Sequence, residues 1–361
     1  MLPDMTEVTP EERCATPWES SADKAVSLYT AQDRKTVDRH FAWMRNYGID
    51  GAALQRFATE LMQPEQKAAL DHVLDNVRAA TEHYGRTFYI EYDMTGIRDH
   101  SGVDTVMADW RTQLRSGTTR SAAYQRHKGH VVVAVFGLGF AGSRYVSAAL
   151  GAELIAGIRE ASHPYGGVTI IAGVPRGWRS LVGNVSQDPD WAGVYKSVDI
   201  LSPWVVGSYH SEADADRYRT EVMQPDMIRA NEFGVQYLPV VFPGFSWHNL
   251  WSSRGDESRP YNQIPRQCGR FFWRQVYNVV DAGNTMGFAA MFDEVDEGTA
   301  LFKTVADRSD LPAQPAFLAL DADGCHLPSD WYLRLTGAAT AVVKGKARNT
   351  PKLPLPLPDE K

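Results

Sequence analysis

His130-Val-Val-Val-Ala-Val-Phe136 carries no polar side chain after its histidine. It lacks the alternation of a strand with one wet face. An uninterrupted apolar run of this length fits a strand buried on both sides, and hence a parallel sheet covered by helices. Similar runs recur on either side of it. They are Gly51-Ala-Ala-Leu-Gln-Arg-Phe57, Thr87-Phe-Tyr-Ile-Glu-Tyr-Asp93, Val168-Thr-Ile-Ile-Ala-Gly-Val174, Val198-Asp-Ile-Leu-Ser-Pro-Trp204, Tyr237-Leu-Pro-Val-Val-Phe242 and Met286-Gly-Phe-Ala-Ala-Met-Phe292. Between them, apolar residues at helical spacing predict helices over 36–47, 64–84, 104–114, 144–160, 191–196, 212–233, 266–282 and 330–343. The helix over 64–84 places Leu70, Val73, Leu74 and Val77 on one face and stops at Gly85.

Seven strands in regular alternation with helices suit an α/β chain of the (β/α)8 TIM barrel class, its first strand atypical or missing. Ala25-Val-Ser-Leu-Tyr-Thr30 is the candidate for the eighth strand; otherwise the first unit lies upstream of Met1. The expected organisation is an N-terminal segment over 1–33, the barrel over 34–345 and a Pro-rich extended tail over 346–361. A doubly wound open sheet is the rival. It calls for a G-x-G-x-x-G turn after the first strand, and Phe136-Gly-Leu-Gly-Phe140 is too short a match.

The bulk composition narrows the function. Hydrophobic residues make up 43% and charged residues 22% of 361 positions, which is globular. A net charge of −7 without a Lys/Arg block argues against nucleic acid. No apolar stretch approaches the roughly 20 residues of a membrane span. The start, Met-Leu-Pro-Asp-Met-Thr-Glu7, lacks the charged and apolar regions of a signal peptide. Cys14, Cys268 and Cys325 are far apart and odd in number, so they read as buried or idle thiols rather than as a disulfide framework.

Chemistry in a parallel barrel gathers at strand C-termini. Those ends carry Gln55 and Arg56, then Glu91 and Asp93, then Arg176, Trp178 and Arg179, then Trp204 with Tyr209 and His210 beyond it. The sixth leads into Phe242-Pro-Gly-Phe-Ser-Trp-His-Asn249, bringing Trp247 and His248. The last ends in Asp293, Glu294, Asp296 and Glu297, four carboxylates within five residues. Crowded carboxylates raise one another's pKa, and a protonated acid beside an ionised one is what general acid/base catalysis needs. Trp faces, acids and amides together suit a sugar. Arg56 has a structural alternative, pairing with a barrel acid. No cofactor or metal is expected. His-x-His spacing is absent, and Asp321-Ala-Asp-Gly324 lacks the rest of a calcium loop. A G-x-S-x-G nucleophile motif is absent too.

Phe292-Asp-Glu-Val-Asp-Glu-Gly-Thr299 resembles the Phe-Asn-Glu-Trp-His-Glu-Gly-Thr segment of glycoside hydrolase family 99, the endo-α-mannosidases. Ile90-Glu91 resembles that family's His-Ile-Glu-Pro-Tyr strand. The wider chain resembles a bacterial set related to families 99 and 71 and labelled xylosidase/arabinosidase. Trp43-Met-Arg-Asn-Tyr-Gly-Ile-Asp-Gly51, Leu54-Gln-Arg-Phe57 and Val241-Phe-Pro-Gly-Phe-Ser-Trp-His-Asn249 carry that likeness. The resemblance implies a (β/α)8 barrel and a metal-independent, retaining glycosidase acting on a glycan. It implies that Glu294 deprotonates the sugar 2-hydroxyl to give a 1,2-anhydro intermediate. It implies that Glu297 protonates the leaving oxygen and then activates water. Gln55, Arg56, Glu91, Asp93, Trp204, His210, Trp247, His248, Asp293 and Asp296 are the expected substrate-binding residues. Asp293, Val295 and Asp296 stand where the family has Asn, Trp and His, and Tyr92-Asp93 where it has Pro-Tyr. The alternatives are a carbohydrate-binding barrel without catalysis, and a lyase or transglycosylase on the same site.

Overall fold

Parallel pairing dominates the computed structural model, which describes residues 1–20, 25–312 and 317–358. Its strands are β1 (Arg13–Glu19), β2 (Ala25–Tyr29), β3 (Gly51–Phe57), β4 (Thr87–Asp93), β5 (Arg126–His127), β6 (His130–Phe136), β7 (Val168–Pro175), β8 (Ile200–Trp204), β9 (Gln236–Tyr237), β10 (Val240–Val241) and β11 (Phe288–Ala289). The chain divides into two compact units. One comprises 50–204 and 225–238; the other comprises 1–49, 205–224 and 239–361.

The first unit holds one sheet in the order β3-β4-β6-β7-β8-β9, with β5 antiparallel to β6. Each strand on that path lies parallel to the next. Neighbours follow chain order without reversal, unlike a doubly wound sheet, whose order reverses at a switch point. Val131 to Val135 of β6 and all eight residues of β7 are buried, as their continuous apolar character requires. Local chemistry sets the helix ends. Asp99 caps the helix His100–Ser116 by accepting from the Ser101 N–H, and Ser147 caps Ala148–Ser162 through Leu150. Pro64 opens Pro64–Tyr84, and Gly85 closes it in the left-handed region. Leu74 and Val77 on that helix are buried, while Leu70 and Val73 are half-buried.

The second unit contains the antiparallel pair β1-β2 and the parallel pair β10-β11. Ala25–Tyr29 is therefore a strand, as the sequence suggests, but it pairs with Arg13–Glu19 outside the parallel sheet. The helices Arg34–Tyr47 and Trp331–Val343 approach so closely that a Cβ at Gly337 would meet the Tyr47 carbonyl oxygen at 1.9 Å. The Tyr47 hydroxyl donates to Asp330 at 2.6 Å at the same junction.

Several expected boundaries move. The run 237–242 breaks into β9 and β10 because Pro239 has no N–H for the ladder. Of the run 286–292, Phe288–Ala289 is the strand, in register with Val240 and Val241, and the Phe288 and Ala290 N–H groups donate to the Pro239 and Val241 carbonyls. The helix expected over 212–233 contains a π turn at Arg219–Met223. Pro225 follows it, and its missing N–H leaves the Glu221 carbonyl without an α-helical partner. Residues 144–147 belong to a loop, and the helix begins at Ala148. The reading of the cysteines is corrected as well. Cys268 and Cys325 form a disulfide with Cα atoms 6.1 Å apart, leaving Cys14 as the free, exposed thiol. An odd count excludes only complete pairing, and 57 residues of separation hide the partnership from local spacing.

Candidate active site

The acid run forms a closed loop after β11. Leu301 N–H donates to the Met291 and Phe292 carbonyls, and Phe302 N–H to Phe292, sealing the base. Inside it, the Glu294 carboxylate turns back on its own backbone. Oε1 accepts from Asp296 N–H at 2.6 Å; Oε2 accepts from Glu297 N–H at 2.7 Å and from the Thr299 hydroxyl at 3.1 Å. Three donors thus converge on one carboxylate, an environment suited to negative charge.

Glu297 differs. Among the described residues its carboxyl makes no hydrogen bond, while its backbone carbonyl accepts from Ser246 N–H at 2.7 Å. Burial first, then the charges of Glu294 and Asp296, push its pKa up to about 7. Asp293 keeps solvent contact, but the protein crowded around it raises its carboxyl above the ordinary range, with Glu294 adding to the rise. Asp296 is exposed, and its backbone carbonyl accepts from the Asn249 amide at 3.4 Å.

The loop 242–249 is set from below by Gln275. Its Nε2 donates to the Phe242 carbonyl at 2.8 Å; its Oε1 accepts from Phe242 N–H at 3.1 Å and the Tyr209 hydroxyl at 3.0 Å. Trp247 is half-buried and stands edge-on to Phe245 at 4.6 Å. His248 is buried, its Nδ1 bonded to the Arg259 carbonyl at 2.6 Å and its ring covered by Tyr261 at 3.8 Å. His210 is exposed on the loop after β8, held by its backbone N–H to Asp214.

Two residues of this unit escaped the sequence reading. Tyr29, at the end of β2, has its hydroxyl pKa raised well above 10.0 by burial and by Asp293 and Glu294. His40 packs against Tyr29, Trp43, Phe292 and Phe302. Burial, then Arg39, lowers it to about 3, so the ring is a neutral part of an aromatic wall behind the loop.

The sheet unit gathers a separate set at its strand ends. Gln55 pairs in register with Glu91, and Phe57 with Asp93. Gln55 Nε2 donates to Asp93 Oδ2, and Thr95 N–H to Oδ1, both at 2.8 Å. Burial, then Asp93, raises Glu91 to about 7. Burial raises Asp93 too, against its hydrogen bonds and the charge of Arg144. Trp204 stands edge-on to Phe136 at 5.2 Å, Phe136 meets Phe140 at 5.4 Å, and Phe140 stacks on Tyr145 at 5.0 Å. Arg144 and Tyr145 were missed because a helix is expected from residue 144 where the chain is still a loop, and Phe140 because its segment is weighed only as a phosphate turn. The glycines at 137, 139 and 142, just past a strand, were the available signal.

Arg56 does not belong to this set. It is fully buried, paired with Asp71 at 2.6 Å and Asp109 at 2.9 Å, and Asp109 also accepts from the Tyr92 hydroxyl at 2.7 Å. Strand alternation puts Arg56 and Tyr92 on the helix-covered face, opposite Gln55 and Glu91. The turn at Asp321-Ala-Asp-Gly324 is also otherwise engaged. Asp321 pairs with Arg308, and Asp323 accepts from Asn262 and from Gln267 N–H. Among the described residues no helix is long and apolar enough to cross a membrane.

No protein-family model and no curated protein sequence matches the chain. Among solved structures it is similar to the family 99 endo-α-mannosidase of Bacteroides thetaiotaomicron. The TM-score is 0.64 at 15% identity, covering 92% of this chain and 85% of that one. The structure of that enzyme with bis-tris-propane gives 0.63 at 15% identity, covering 91% and 88%. This likeness, with the parallel strands and flanking helices, shows the (β/α)8 fold expected from the sequence.

Proposed function

We propose that the protein is a metal-independent glycoside hydrolase in which Glu297 is the general acid/base and Glu294 its charged partner. The observation that carries this is the contrast between two glutamates three residues apart. Three donors hold Glu294, whereas Glu297 is unbonded and its pKa is raised to about 7. A carboxyl protonated near neutrality can give its proton to a glycosidic oxygen, and once ionised can take one from water. Glu294 Oε1 accepts a single hydrogen bond, which leaves it capacity for a sugar hydroxyl. That supports a base role toward the 2-hydroxyl, with retention through a 1,2-anhydro sugar. The likeness to an endo-α-mannosidase makes α-linked mannosides the first substrates to try.

A second reading, glycan binding without turnover, draws on the same bonds, because a carboxylate tied to its own loop can be structural. The test compares wild type, Glu297→Gln and Glu294→Gln on α-mannosides, xylosides and arabinosides. Hydrolysis is expected to fall about 10³-fold in Glu297→Gln, with binding retained. Full activity in both variants overturns the assignment, and binding by a wild type that never hydrolyses selects the second reading.

A further inference from the structure

We propose that Arg266 is a positioning residue: it fixes the backbone of the acid loop so that Glu297 is presented in one orientation. This rests on the glycosidase reading above and names a group the sequence did not suggest. Arg266 is 6% exposed. One terminal nitrogen, Nη2, donates to the carbonyls of Gly298 and Ala300, both at 2.7 Å. With the Ser246 bond to the Glu297 carbonyl, three carbonyls of the loop between 297 and 300 are held by groups outside it. Glu294 holds the amides of 296 and 297 within the loop.

The guanidinium has an unusual setting. Its plane lies over the Tyr332 ring at 4.4 Å, while Nε and Nη1 make no hydrogen bond. Among the described residues no carboxylate forms an ion pair with it, although Tyr332, Asp323 and Glu294 all favour its charge. Burying a cation with so little compensation is costly. A cost of that kind is tolerated where geometry depends on the group.

The base from which Arg266 reaches is itself fixed. Phe245 and Ile264 exchange two backbone hydrogen bonds, at 3.1 and 2.9 Å. Gly244 makes room for the side chain, since a Cβ there would meet Arg266 Cγ at 2.6 Å and the Ile264 carbonyl oxygen at 2.9 Å. Gln267 and Cys268 both have positive φ, at 51° and 57°, and are pinned by Asp323 and by the disulfide to Cys325. Non-glycine residues hold that conformation only where surrounding contacts impose it. The anchor is thus built at both ends.

The experiment uses the full chain as wild type, Arg266→Lys and Gly244→Ala. Lysine keeps the charge but stops short of the position of Nη2. Alanine at 244 keeps the arginine and displaces its stem. Backbone hydrogen exchange over 296–300 is expected to quicken about tenfold or more in both, with the rest of the chain little changed. kcat should fall by about tenfold to a hundredfold with KM within about twofold. The alkaline limb of the rate profile should move acidic as Glu297 leaves its crowded site. Unchanged exchange over 296–300 in both variants overturns the proposal. So does a uniform loss of stability with kcat and the pH limb unchanged per folded molecule. If the wild type hydrolyses no glycoside, the glycosidase reading fails while the exchange measurement still decides whether Arg266 holds the loop.

Discussion

In the proposed mechanism Glu297 couples activity to stability through one proton. Its ordinary value of 4.5 is raised to about 7 in the fold. Below pH 4.5 the carboxyl is protonated in folded and unfolded chains alike. Between the two values the unfolded chain ionises first, so stability falls as pH rises and levels off above 7. The shift corresponds to about 3 kcal/mol at most. Glu297→Gln should therefore be more stable than wild type at pH 8, by up to about 3 kcal/mol, and gain much less at pH 5. Urea denaturation at the two pH values checks this, and an equal gain at both would remove Glu297 as the titrating group. With Glu297 as the proposed general acid, kcat/KM of the wild type should decline as pH rises through about 7, where its carboxyl loses its proton. Four acids at the end of an apolar run were legible in the sequence as a candidate site. Their division into a bonded and an unbonded glutamate was not. It depends on backbone N–H groups that turn toward Glu294 once the loop closes on Leu301 and Phe302.

Within an element, neighbouring residues can have opposite fates, and β3 shows it. Gln55 and Arg56 both sit at the strand's end, which makes both candidate sugar contacts, with pairing to a barrel acid as the alternative for Arg56. Alternation separates them: Gln55 joins Asp93 at the strand ends, and Arg56 goes under the helices to Asp71 and Asp109. Arg56→Leu leaves Asp109, also fully buried, facing only the Lys67 ammonium at 3.9 Å, and should cost about 3–5 kcal/mol. Gln55→Leu should cost under about 1 kcal/mol and act instead on glycan binding. Denaturant midpoints with a glycan titration separate the two. Equal stability losses would mean that the two faces are misassigned. The interiors of the elements were legible because apolar periodicity records burial directly. Their ends were less so: Pro239 splits one strand, and Pro225 follows the π turn of a helix expected to be regular. A proline removes one donor, and whether the chain bends, breaks or absorbs the loss depends on neighbours distant in sequence.

Over the whole molecule, alternation of apolar strands with helices was enough to read the fold class, because a buried parallel sheet leaves no other pattern. All seven expected runs contain parallel strands, and the order β3-β4-β6-β7-β8-β9 follows the chain. Contacts that join distant segments left no such trace. Arg266 meets Gly298 and Ala300 across 32 and 34 residues, and the disulfide spans 57. That disulfide carries the last prediction. Closing a loop of 57 residues removes chain entropy from the unfolded state worth about 4 kcal/mol in the loop-closure treatment. Spread over the unfolding entropy of a chain this long, that is a fall of about 5 °C in the melting midpoint on reduction. Cys14 is exposed and unpaired, so Cys14→Ser gives a chain in which the reductant acts on one bond alone. Melting that variant with and without dithiothreitol should show the full drop, and Cys268→Ser/Cys325→Ser in the same background should match the reduced form without responding to reductant. A reduced midpoint equal to the oxidised one would mean that the reduced unfolded chain retains structure that already keeps the two cysteines close. Its place beside Gln267 and Arg266 would then be the reason for it, and the effect of reduction would appear in hydrogen exchange over 296–300 instead.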